Sequence, residues 1–309
     1  MNLSEVKKIL EQEKISPLKR FGQNFLIDSN IARKFAATLD FDEKDTVIEI
    51  GPGLGAISSI ILQSGCSLIA YEIDRTFSKF LKKKFSSFDN FKLIEGDFLK
   101  TGLSVLRKTK APASLFPKET AVGETAAQAP ASLFPKETAG RKIKVISNLP
   151  YYLTSSIMFA LMENREKISQ AVLIMQKEVA ERVVAVPGTP DYGLLSVRVQ
   201  FYCNSKKNFD INRNAFYPRP DVISTAMKLE FLGEPRHKVQ DIKLFENILK
   251  VGFAHRRKQL RKAVAELLGS RKKALEAMEE ANIDCTVRIE ELGIDKITRL
   301  SNVIYSKLR

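Results

Sequence analysis

The sequence predicts an α/β protein with a mainly parallel sheet, helices on both faces of that sheet, and a small all-helical domain after it. From Thr46 onward, short β-branched apolar runs alternate with segments of helical period, the pattern of βαβ crossovers. After Gly233 the chain changes to long charged segments of helical period. With 309 residues, 44% of them hydrophobic, the chain is long enough for one large core and a smaller one. We therefore expect two domains, residues 1–232 and 233–309.

The strands of this sheet can be placed one by one. Five apolar runs are each followed by a helical segment: "TVIEI", "SLIAYEI", "FKLIEG", "KVISN" and "QAVLIMQ". Because buried parallel strands are typically short, continuous apolar runs, these five are expected to pair in parallel. Two further β-rich runs, residues 206–211 and 222–229, flank "NRNAFYPRP" and predict an antiparallel addition at the sheet edge.

A repeated segment interrupts the alternation. The sequence "APASLFPKETA" occurs at residues 111–121 and again, letter for letter, at 129–139. Two copies are too few to stack as a solenoid, and an Ala- and Pro-rich stretch without a sustained period predicts a flexible loop. We expect an insertion over about residues 109–140. A silent insertion and a binding element are both open, and the tolerance of surface loops favours the first.

Charge and composition limit the partners. The chain has 50 Lys and Arg against 36 Asp and Glu, a net charge of +14, which favours a polyanion: nucleic acid first, an anionic membrane second. The sequence contains no run of about 18 apolar residues and no leader-like start, so we expect a soluble cytoplasmic protein that does not bind membranes. Its three cysteines and two histidines are widely spaced, which predicts free thiols and no bound metal.

A glycine-rich turn follows the first strand of the series. Gly51, Gly53 and Gly55 lie between "TVIEI" and the next helix. Glycine lets a ligand approach the backbone, and a helix N-terminus offers free N–H groups. The spacing is G-x-G-x-G, which differs from the G-x-G-x-x-G of dinucleotide enzymes. By itself this turn is as compatible with a purely structural role as with a cofactor.

Acidic residues end the next two strands. Glu72 comes about 20 residues after the first glycine, the separation at which an acid meets a ribose diol. After the third strand, Asp97 is able to accept a hydrogen bond from an adenine amino group while Phe98 covers the base. A solvated carboxylate and a helix cap are the alternatives for these two acids. No downstream feature serves hydride or phosphoryl transfer, so the three strand ends together favour S-adenosylmethionine over NAD or ATP.

The fourth strand ends in Asn148-Leu149-Pro150-Tyr151. This turn resembles the Asn-Pro-Pro-Tyr-type motif of amino-methyltransferases, in the form found in ribosomal RNA adenine dimethyltransferases. Four more segments are similar to that family: "GQNFL" at residues 22–26, the glycine motif "EIGPGLG", the Phe-x-Pro-x-Pro loop "NAFYPRPDVIS" and the C-terminal basic helix "FAHRRKQLRKAV". The resemblance covers nearly the whole chain and is strongest to the KsgA-type enzymes. The repeated segment is an insertion relative to the family.

The resemblance implies a Rossmann-like S-adenosylmethionine-dependent methyltransferase. It further implies dimethylation of N6 of two adjacent adenosines near the 3′ end of 16S ribosomal RNA, with a role in small-subunit biogenesis. The implied partner is small-subunit rRNA or the pre-30S particle, and a monomer is expected. Residues implied to hold the cofactor are Asn24, Leu26, Gly51, Gly53, Glu72, Ile73, Asp97, Phe98 and Asn148. Those implied to form the target-base site are Asn148, Leu149, Pro150, Tyr151 and Phe216.

The chemistry of adenine N6 explains these residue types. The N6 lone pair is delocalised into the ring, so the nitrogen is a poor nucleophile until acceptors engage its two N–H groups. Asn148 Oδ1 and the Leu149 carbonyl are expected to be those acceptors, since Pro150 fixes φ and thereby aims the carbonyl before it. Tyr151 and Phe216 are expected to stack on an adenosine drawn out of its helix. Alignment alone then carries the transfer.

Basic residues near both ends predict an RNA surface. Phosphate contacts position RNA without determining its sequence specificity, and recognition of a folded RNA shape is the expected source of specificity. A solvated charged face is the alternative. The residues selected are Lys19, Arg20, Arg256, Arg257, Lys258 and Arg261.

Two rival functions remain open from the sequence. A large-subunit rRNA methyltransferase of the macrolide-resistance type has a similar catalytic domain, and the C-terminal "FAHRRKQLRKAV" segment favours the small-subunit type over it. A non-catalytic RNA-binding assembly factor is the rival from another class. The intact Asn-Leu-Pro-Tyr turn and the complete cofactor motifs argue against that factor.

Overall fold

The computed structural model describes residues 1–13, 23–102 and 142–309. Contacts divide the described residues into two compact units: the first holds 1–13, 23–102, 142–180 and 205–233, and the second holds 181–204 and 234–309. The chain enters the second unit for the last time at Glu234, next to the boundary expected from the sequence. The expected insertion at about 109–140 lies outside the described residues.

The strands and helices alternate as the sequence predicts. The strands are β1 (Phe25–Leu26), β2 (Thr46–Ile50), β3 (Ser67–Glu72), β4 (Phe91–Glu95), β5 (Ile143–Asn148), β6 (Ile168–Gln176), β7 (Cys203–Ile211), β8 (Phe216–Tyr217) and β9 (Ser224–Phe231). The helices are α1 (Leu3–Gln12), α2 (Ser29–Ala37), α3 (Ala56–Gln63), α4 (Arg75–Lys84), α5 (Thr154–Glu163), α6 (Lys177–Val184), α7 (Leu194–Tyr202), α8 (Ile242–Ala254), α9 (Leu260–Leu268), α10 (Arg271–Glu280) and α11 (Ile294–Leu308).

The central sheet has seven strands in the order β4-β3-β2-β5-β6-β9-β7. Strands β4, β3, β2, β5 and β6 pair in parallel, and β9 runs antiparallel to β6, with Ser224 opposite Gln176. Both the parallel core and the antiparallel addition agree with the sequence prediction. The order reverses between β2 and β5, and an open α/β sheet binds its ligands at the carboxyl ends of the strands beside such a reversal.

A second, two-stranded sheet joins distant parts of the first unit. Strand β1 pairs antiparallel with β8, placing Phe25 opposite Tyr217 and Leu26 opposite Phe216. The Ile27 N–H also donates to the Ala215 carbonyl at 2.8 Å. Strands of two residues are not stable alone. This pair is held by burial, because Leu26 and Phe216 both belong to the hydrophobic core cluster of β2, β5 and β6.

The second unit is helical in its C-terminal part. Phe201 of α7 packs on Phe245 of α8 with ring centroids 4.5 Å apart, and a buried ion pair joins Arg198 to Glu246 at 2.7 Å. No helix among the described residues is long and apolar enough to span a membrane.

The segment "FAHRRKQLRKAV" differs from the single basic helix that its resemblance implied. Helix α8 ends at Ala254, residues 255–259 form a turn, and α9 begins at Leu260. Tertiary pairing breaks the helix here, since Gln259 forms a β-bridge with Arg288 and the Leu260 N–H donates to the Val287 carbonyl at 2.8 Å.

Candidate active site

A cavity opens at the carboxyl ends of β2, β3, β4 and β5, where the strand order reverses. The space between its walls, including the part that is open to solvent, is about 1070 Å³. The nine residues expected to hold the cofactor all line it: Asn24, Leu26, Gly51, Gly53, Glu72, Ile73, Asp97, Phe98 and Asn148. The structure therefore brings together residues that are up to 124 positions apart in the chain.

The glycine turn bends in a way that other residues rarely adopt. Gly51, Gly53 and Gly55 have φ of +68°, +56° and +71°, in the left-handed region that glycine enters without steric cost. A methyl group added at Gly55 would lie 2.7 Å from the Phe85 ring, whereas one at Gly51 would meet no atom within 4 Å. The turn thus serves packing at Gly55, and it keeps the backbone clear beside the cavity at Gly51.

Two charged side chains fasten this turn. The Gly53 N–H donates to Glu72 Oε2 at 3.1 Å, and the Asp74 N–H donates to Glu72 Oε1 at 3.0 Å. Lys84 Nζ donates to the Leu54 carbonyl at 2.8 Å. Burial lowers the pKa of Lys84 to about 8, against the opposing attraction of nearby carboxylates.

Two buried carboxyl groups interact here: Glu72, which lines the cavity, and Glu49. Burial raises the pKa of Glu72 to about 7, and hydrogen bonds from the backbone N–H groups of Asp74, Gly53 and Ile73 only partly offset that rise. Burial likewise raises the pKa of Glu49 to about 7, although Ser58 Oγ donates to Glu49 Oε2 at 2.6 Å. Sequence reasoning selected Glu72 and missed Glu49. The available signal was an acid in the middle of the apolar strand "TVIEI", where a charged side chain rarely occurs without a partner.

Asp97 combines both of the roles considered for it. Its Oδ1 accepts from the Leu99 N–H at 2.9 Å and so caps the short helix Phe98–Gly102. Its Oδ2 has no hydrogen-bond partner among the described residues, and the residue lines the cavity. The Phe98 ring is buried edge-on against Tyr71, with centroids 5.2 Å apart.

The turn after β5 holds its amide in one orientation. Asn148 Nδ2 donates to the backbone carbonyl of Asn24 at 2.7 Å, while Oδ1 has no partner among the described residues. Pro150 has φ of −56° and lines the cavity together with Asn148. Leu149 is buried, and its N–H donates to the Ile174 carbonyl at 3.4 Å. The amide oxygen is therefore available as an acceptor at this turn.

The two rings expected to stack on the target base, Tyr151 and Phe216, have different surroundings in the structure. The Tyr151 hydroxyl shares a hydrogen bond with Ser224 Oγ at 2.8 Å, and its ring is partly exposed. Phe216 is only 2% exposed, because the pairing of β8 with β1 packs its ring into the core. Neither Tyr151 nor Phe216 is among the residues that line the cavity. Tyr152, which sequence reasoning passed over, is 60% exposed and lines the cavity.

The lining of the cavity fits S-adenosylmethionine. Besides Asp97 Oδ2 and Asn148 Oδ1, the buried Tyr71 hydroxyl has no hydrogen-bond partner among the described residues. A buried hydroxyl without a partner is costly unless a ligand engages it. A ligand with a hydroxylated sugar, an amino-bearing base and a positive charge would engage such a set beside Glu72. Within the described ranges, no group of three His, Cys, Asp or Glu side chains is arranged to hold a metal ion.

The basic residues selected for RNA have unequal surroundings. Arg256 is ion-paired with Glu290 and donates to the Pro190 carbonyl at 2.8 Å, so it supports the fold of the second unit. Arg257 and Lys258 are exposed on the turn before α9, and Arg261 is half-buried at its start. Lys19 and Arg20 lie outside the described residues.

The sheet order and the chemistry of its strand ends place the chain among the S-adenosylmethionine-dependent methyltransferases. A family model described as ribosomal RNA adenine dimethylase matches residues 16–306. The chain belongs to this family, and the family and the cofactor class inferred from the sequence are confirmed.

Relatives and solved structures agree. The chain is 34% identical to ribosomal RNA small subunit methyltransferase A of Streptococcus gordonii, over 98% of this chain and 97% of the relative. It is 35% identical to the protein of that name from Streptococcus mutans, over 96% and 94%. A dimethyladenosine transferase from Plasmodium falciparum superposes with a TM-score of 0.68 at 24% identity, covering 89% of this chain and 95% of that one. The 23S rRNA methyltransferase ErmE superposes with a TM-score of 0.62 at 22% sequence identity, covering 91% of this chain and 100% of that one. These two structures confirm the Rossmann-like methyltransferase fold.

Replacing Glu49 by Gln should change how stability depends on pH. A carboxyl group whose pKa is raised by folding contributes stability that is complete below its unfolded pKa and is lost as the pH rises through about 7. Glu49→Gln cannot ionise and keeps an acceptor for Ser58. We expect it to exceed the wild type in free energy of unfolding by up to about 3 kcal/mol at pH 8, with the difference vanishing near pH 4.5. Urea unfolding at several pH values measures this, and parallel pH curves for the two proteins would contradict it.

Alanine at the two glycines should separate packing from cofactor binding. Gly55→Ala is expected to lower the free energy of unfolding by about 2–4 kcal/mol, because a left-handed alanine costs about 1–2 kcal/mol and overlap with Phe85 adds to it. Gly51→Ala should lower the free energy of unfolding only by the cost of the left-handed backbone, and it should weaken cofactor binding about tenfold. Urea unfolding and calorimetric titration with S-adenosylhomocysteine measure the two effects. Equal destabilisation by both substitutions would show that overlap with the Phe85 ring does not disfavour a side chain at position 55.

Proposed function

We propose that the protein transfers methyl groups from S-adenosylmethionine to N6 of two adjacent adenosines near the 3′ end of 16S rRNA, forming N6,N6-dimethyladenosine during small-subunit biogenesis. The observation that carries this proposal is the Asn148 amide, held by Asn24 with its oxygen available beside the cavity. The relatives named small subunit methyltransferase A, aligned over nearly the full chain, support the choice of target. We further propose that the protein acts as a monomer, in the cytoplasm, on the precursor particle.

The residues around the cavity would hold the cofactor. When bound, S-adenosylmethionine supplies an electrophilic methyl group on a sulfonium sulfur. Glu72 can accept from ribose hydroxyls while it keeps its hydrogen bonds from the Gly53 and Asp74 N–H groups, since each carboxylate oxygen has two acceptor sites. Asp97 Oδ2 can accept from an adenine amino group while Oδ1 caps the following helix. Ile73 lines the cavity and its side chain is more than half exposed, so it would cover the adenine ring of the cofactor.

Asn148 would prepare the target nitrogen. Because Nδ2 donates to Asn24, the amide cannot turn over without losing that hydrogen bond, and Oδ1 stays oriented as an acceptor. Acceptance of one N6–H by Oδ1 and of the other by the Leu149 carbonyl would draw the lone pair out of conjugation. The same acceptors would stabilise the positive charge that develops on N6 during transfer. Pro150 sets the direction of the Leu149 carbonyl.

Tyr151 is the ring that we assign to the target base. Its hydrogen bond to Ser224 restricts rotation of the side chain, so less conformational freedom is lost when a base stacks on it. The role of Phe216 stays a prediction from the family resemblance. Its ring is buried between β1 and the central sheet, and stacking would require it to leave that position.

Two rival functions predict different results in a methylation assay. The macrolide-resistance type would methylate large-subunit RNA, and its likeness to this chain extends only to the fold. Incubation with labelled S-adenosylmethionine and either unmethylated small subunits or naked large-subunit RNA separates the two. Label appearing only in the large-subunit RNA would overturn the proposal. A non-catalytic assembly factor would incorporate no label in either.

Substitutions at Asn148 test both the acceptor and its orientation. Asn148→Ala removes the acceptor, and the rate of dimethylation should fall about 10²–10³-fold, as when one oriented hydrogen-bonding group is removed from an active site. Asn148→Asp keeps oxygen acceptors but loses the donor to Asn24, so a comparable loss is expected. Single-turnover methylation of small subunits, with mass spectrometry of the RNA, measures the rates. Normal dimethyladenosine levels with Asn148→Ala would contradict the mechanism.

Ser224 should act on catalysis through Tyr151. Ser224→Ala and Tyr151→Phe each remove the same hydrogen bond, so each is expected to lower kcat/KM about tenfold, and the double variant should be no worse than either alone. Thr225→Val is the matched control, since Thr225 is equally buried and its hydroxyl donates to Asp210 at 2.7 Å. Additive losses, or an equal loss with Thr225→Val, would assign Ser224 a purely structural role.

A further inference from the structure

Exposed apolar side chains of the first unit are concentrated at one edge. Among its described residues, five large apolar side chains are exposed: Leu3, Ile73, Tyr152, Val222 and Ile223. Four of these five stand at the carboxyl edge of the parallel strands. Ile73 is already assigned to the cofactor. We call the other three, Tyr152, Val222 and Ile223, the apolar triad.

The fold brings the members of the apolar triad close to the proposed base site. Tyr152 follows Tyr151 in the turn after β5. Val222 and Ile223 directly precede Ser224, the hydroxyl partner of Tyr151. Because β9 is antiparallel to β6, its first residue lies at the carboxyl edge. One strand, β6, separates β5 from β9, so the two parts of the triad are roughly 10 Å apart, twice the usual strand spacing.

The segment that carries Val222 and Ile223 is fixed in place. The Ile223 carbonyl accepts from the Lys177 N–H at 3.0 Å, and Arg213 Nη1 donates to the Asp221 carbonyl at 3.1 Å. Their exposed fractions are 39% and 42%, although the next residue, Ser224, is fully buried. An ordered backbone that holds adjacent apolar side chains in water is typical of a contact surface.

We propose that the apolar triad contacts the nucleobases next to the target adenosine in ribosomal RNA, filling the gap that this adenosine leaves when it is drawn out. The inference rests on the proposed function. Extruding a base exposes the faces of its neighbours, and apolar side chains that insert at such a step are a known means of holding nucleic acid open. Stacking on Tyr152 would be tolerant of sequence.

Charge favours RNA over a protein as the occupant. The chain carries a net charge of +14, and Arg219, on the same loop as Val222, is exposed. An apolar contact surface beside a cation matches an opened nucleic acid strand, in which base faces lie next to phosphates. Arg219 would contact phosphate and contribute to the salt dependence of binding, whereas the triad would not.

A double variant of the full chain tests this proposal. Val222→Thr/Ile223→Thr keeps β-branched shapes and removes apolar surface, and Leu3→Thr is the matched control, since Leu3 is 39% exposed on α1. We expect the double variant to bind both unmethylated small subunits and protein-free 16S rRNA about tenfold more weakly, with an unchanged slope of log affinity against log salt. Arg219→Gln should reduce that slope. Affinity for S-adenosylhomocysteine should stay within twofold of wild type in all of them.

Several outcomes would overturn the proposal. RNA affinity equal to wild type in the double variant, an equal loss with Leu3→Thr, or a changed salt slope would remove the triad from the RNA contact. Weaker binding to particles with normal binding to protein-free rRNA would identify a ribosomal protein as the partner. The proposed function is judged separately, by whether the wild-type protein dimethylates small-subunit RNA. A failure of the triad leaves that result unaffected.

Discussion

The hydrogen bond from Asn148 to the Asn24 carbonyl is the contact on which the arrangement of the cavity depends. It joins the end of β5 to the N-terminal segment, and that segment is itself held by the pairing of Phe25 and Leu26 with β8. The Phe25 ring packs on Phe77 at 5.4 Å and lies against Gly53. The segment Asn24–Leu26 thus contacts the glycine turn, the Asn-Leu-Pro-Tyr turn and the Phe-x-Pro-x-Pro loop.

Two buried carboxyl groups next to each other destabilise the fold when they are ionised. Glu49 and Glu72 are buried close enough for their charges to interact, and burial raises the pKa of both. Ser58, two backbone N–H groups and the ammonium of Lys84 provide the opposing contacts. Such an arrangement disfavours the ionised carboxylates in isolation and favours a ligand that brings hydroxyl donors and a positive charge. Stability is thereby traded for affinity at the same residues.

The antiparallel strand β9 positions the hydroxyl group that holds Tyr151. The cavity lies at the ends of four parallel strands, β2, β3, β4 and β5, whereas Ser224 reaches Tyr151 because β9 returns along β6 in the opposite direction. The same return places exposed apolar side chains beside the proposed base site. The turn after β5 lines the cavity and also carries Tyr151 and Tyr152, whereas the residues before β9 are not among those that line the cavity.

Local pattern was enough to predict the alternation of strands and helices and the residues at the strand ends. Parallel strands bring their carboxyl ends to one edge, so Gly51, Glu72, Asp97 and Asn148 had to meet once the strands were identified. The rest depended on pairings between distant segments, which no local pattern contains. The β1–β8 pair buried Phe216, and the contact with Glu290 committed Arg256 to the fold.

The partners of the predicted residues were likewise decided by tertiary structure alone. A backbone carbonyl holds Asn148 and a buried serine holds Tyr151. Neither partner has a sequence signature, since every residue has a carbonyl and serine occurs throughout the chain. The sequence by itself determined which groups bear the chemistry, because residue type sets what a side chain can donate or accept. Only the tertiary structure decided how they are oriented and which are free to act, because orientation is set by contacts between segments far apart in the chain.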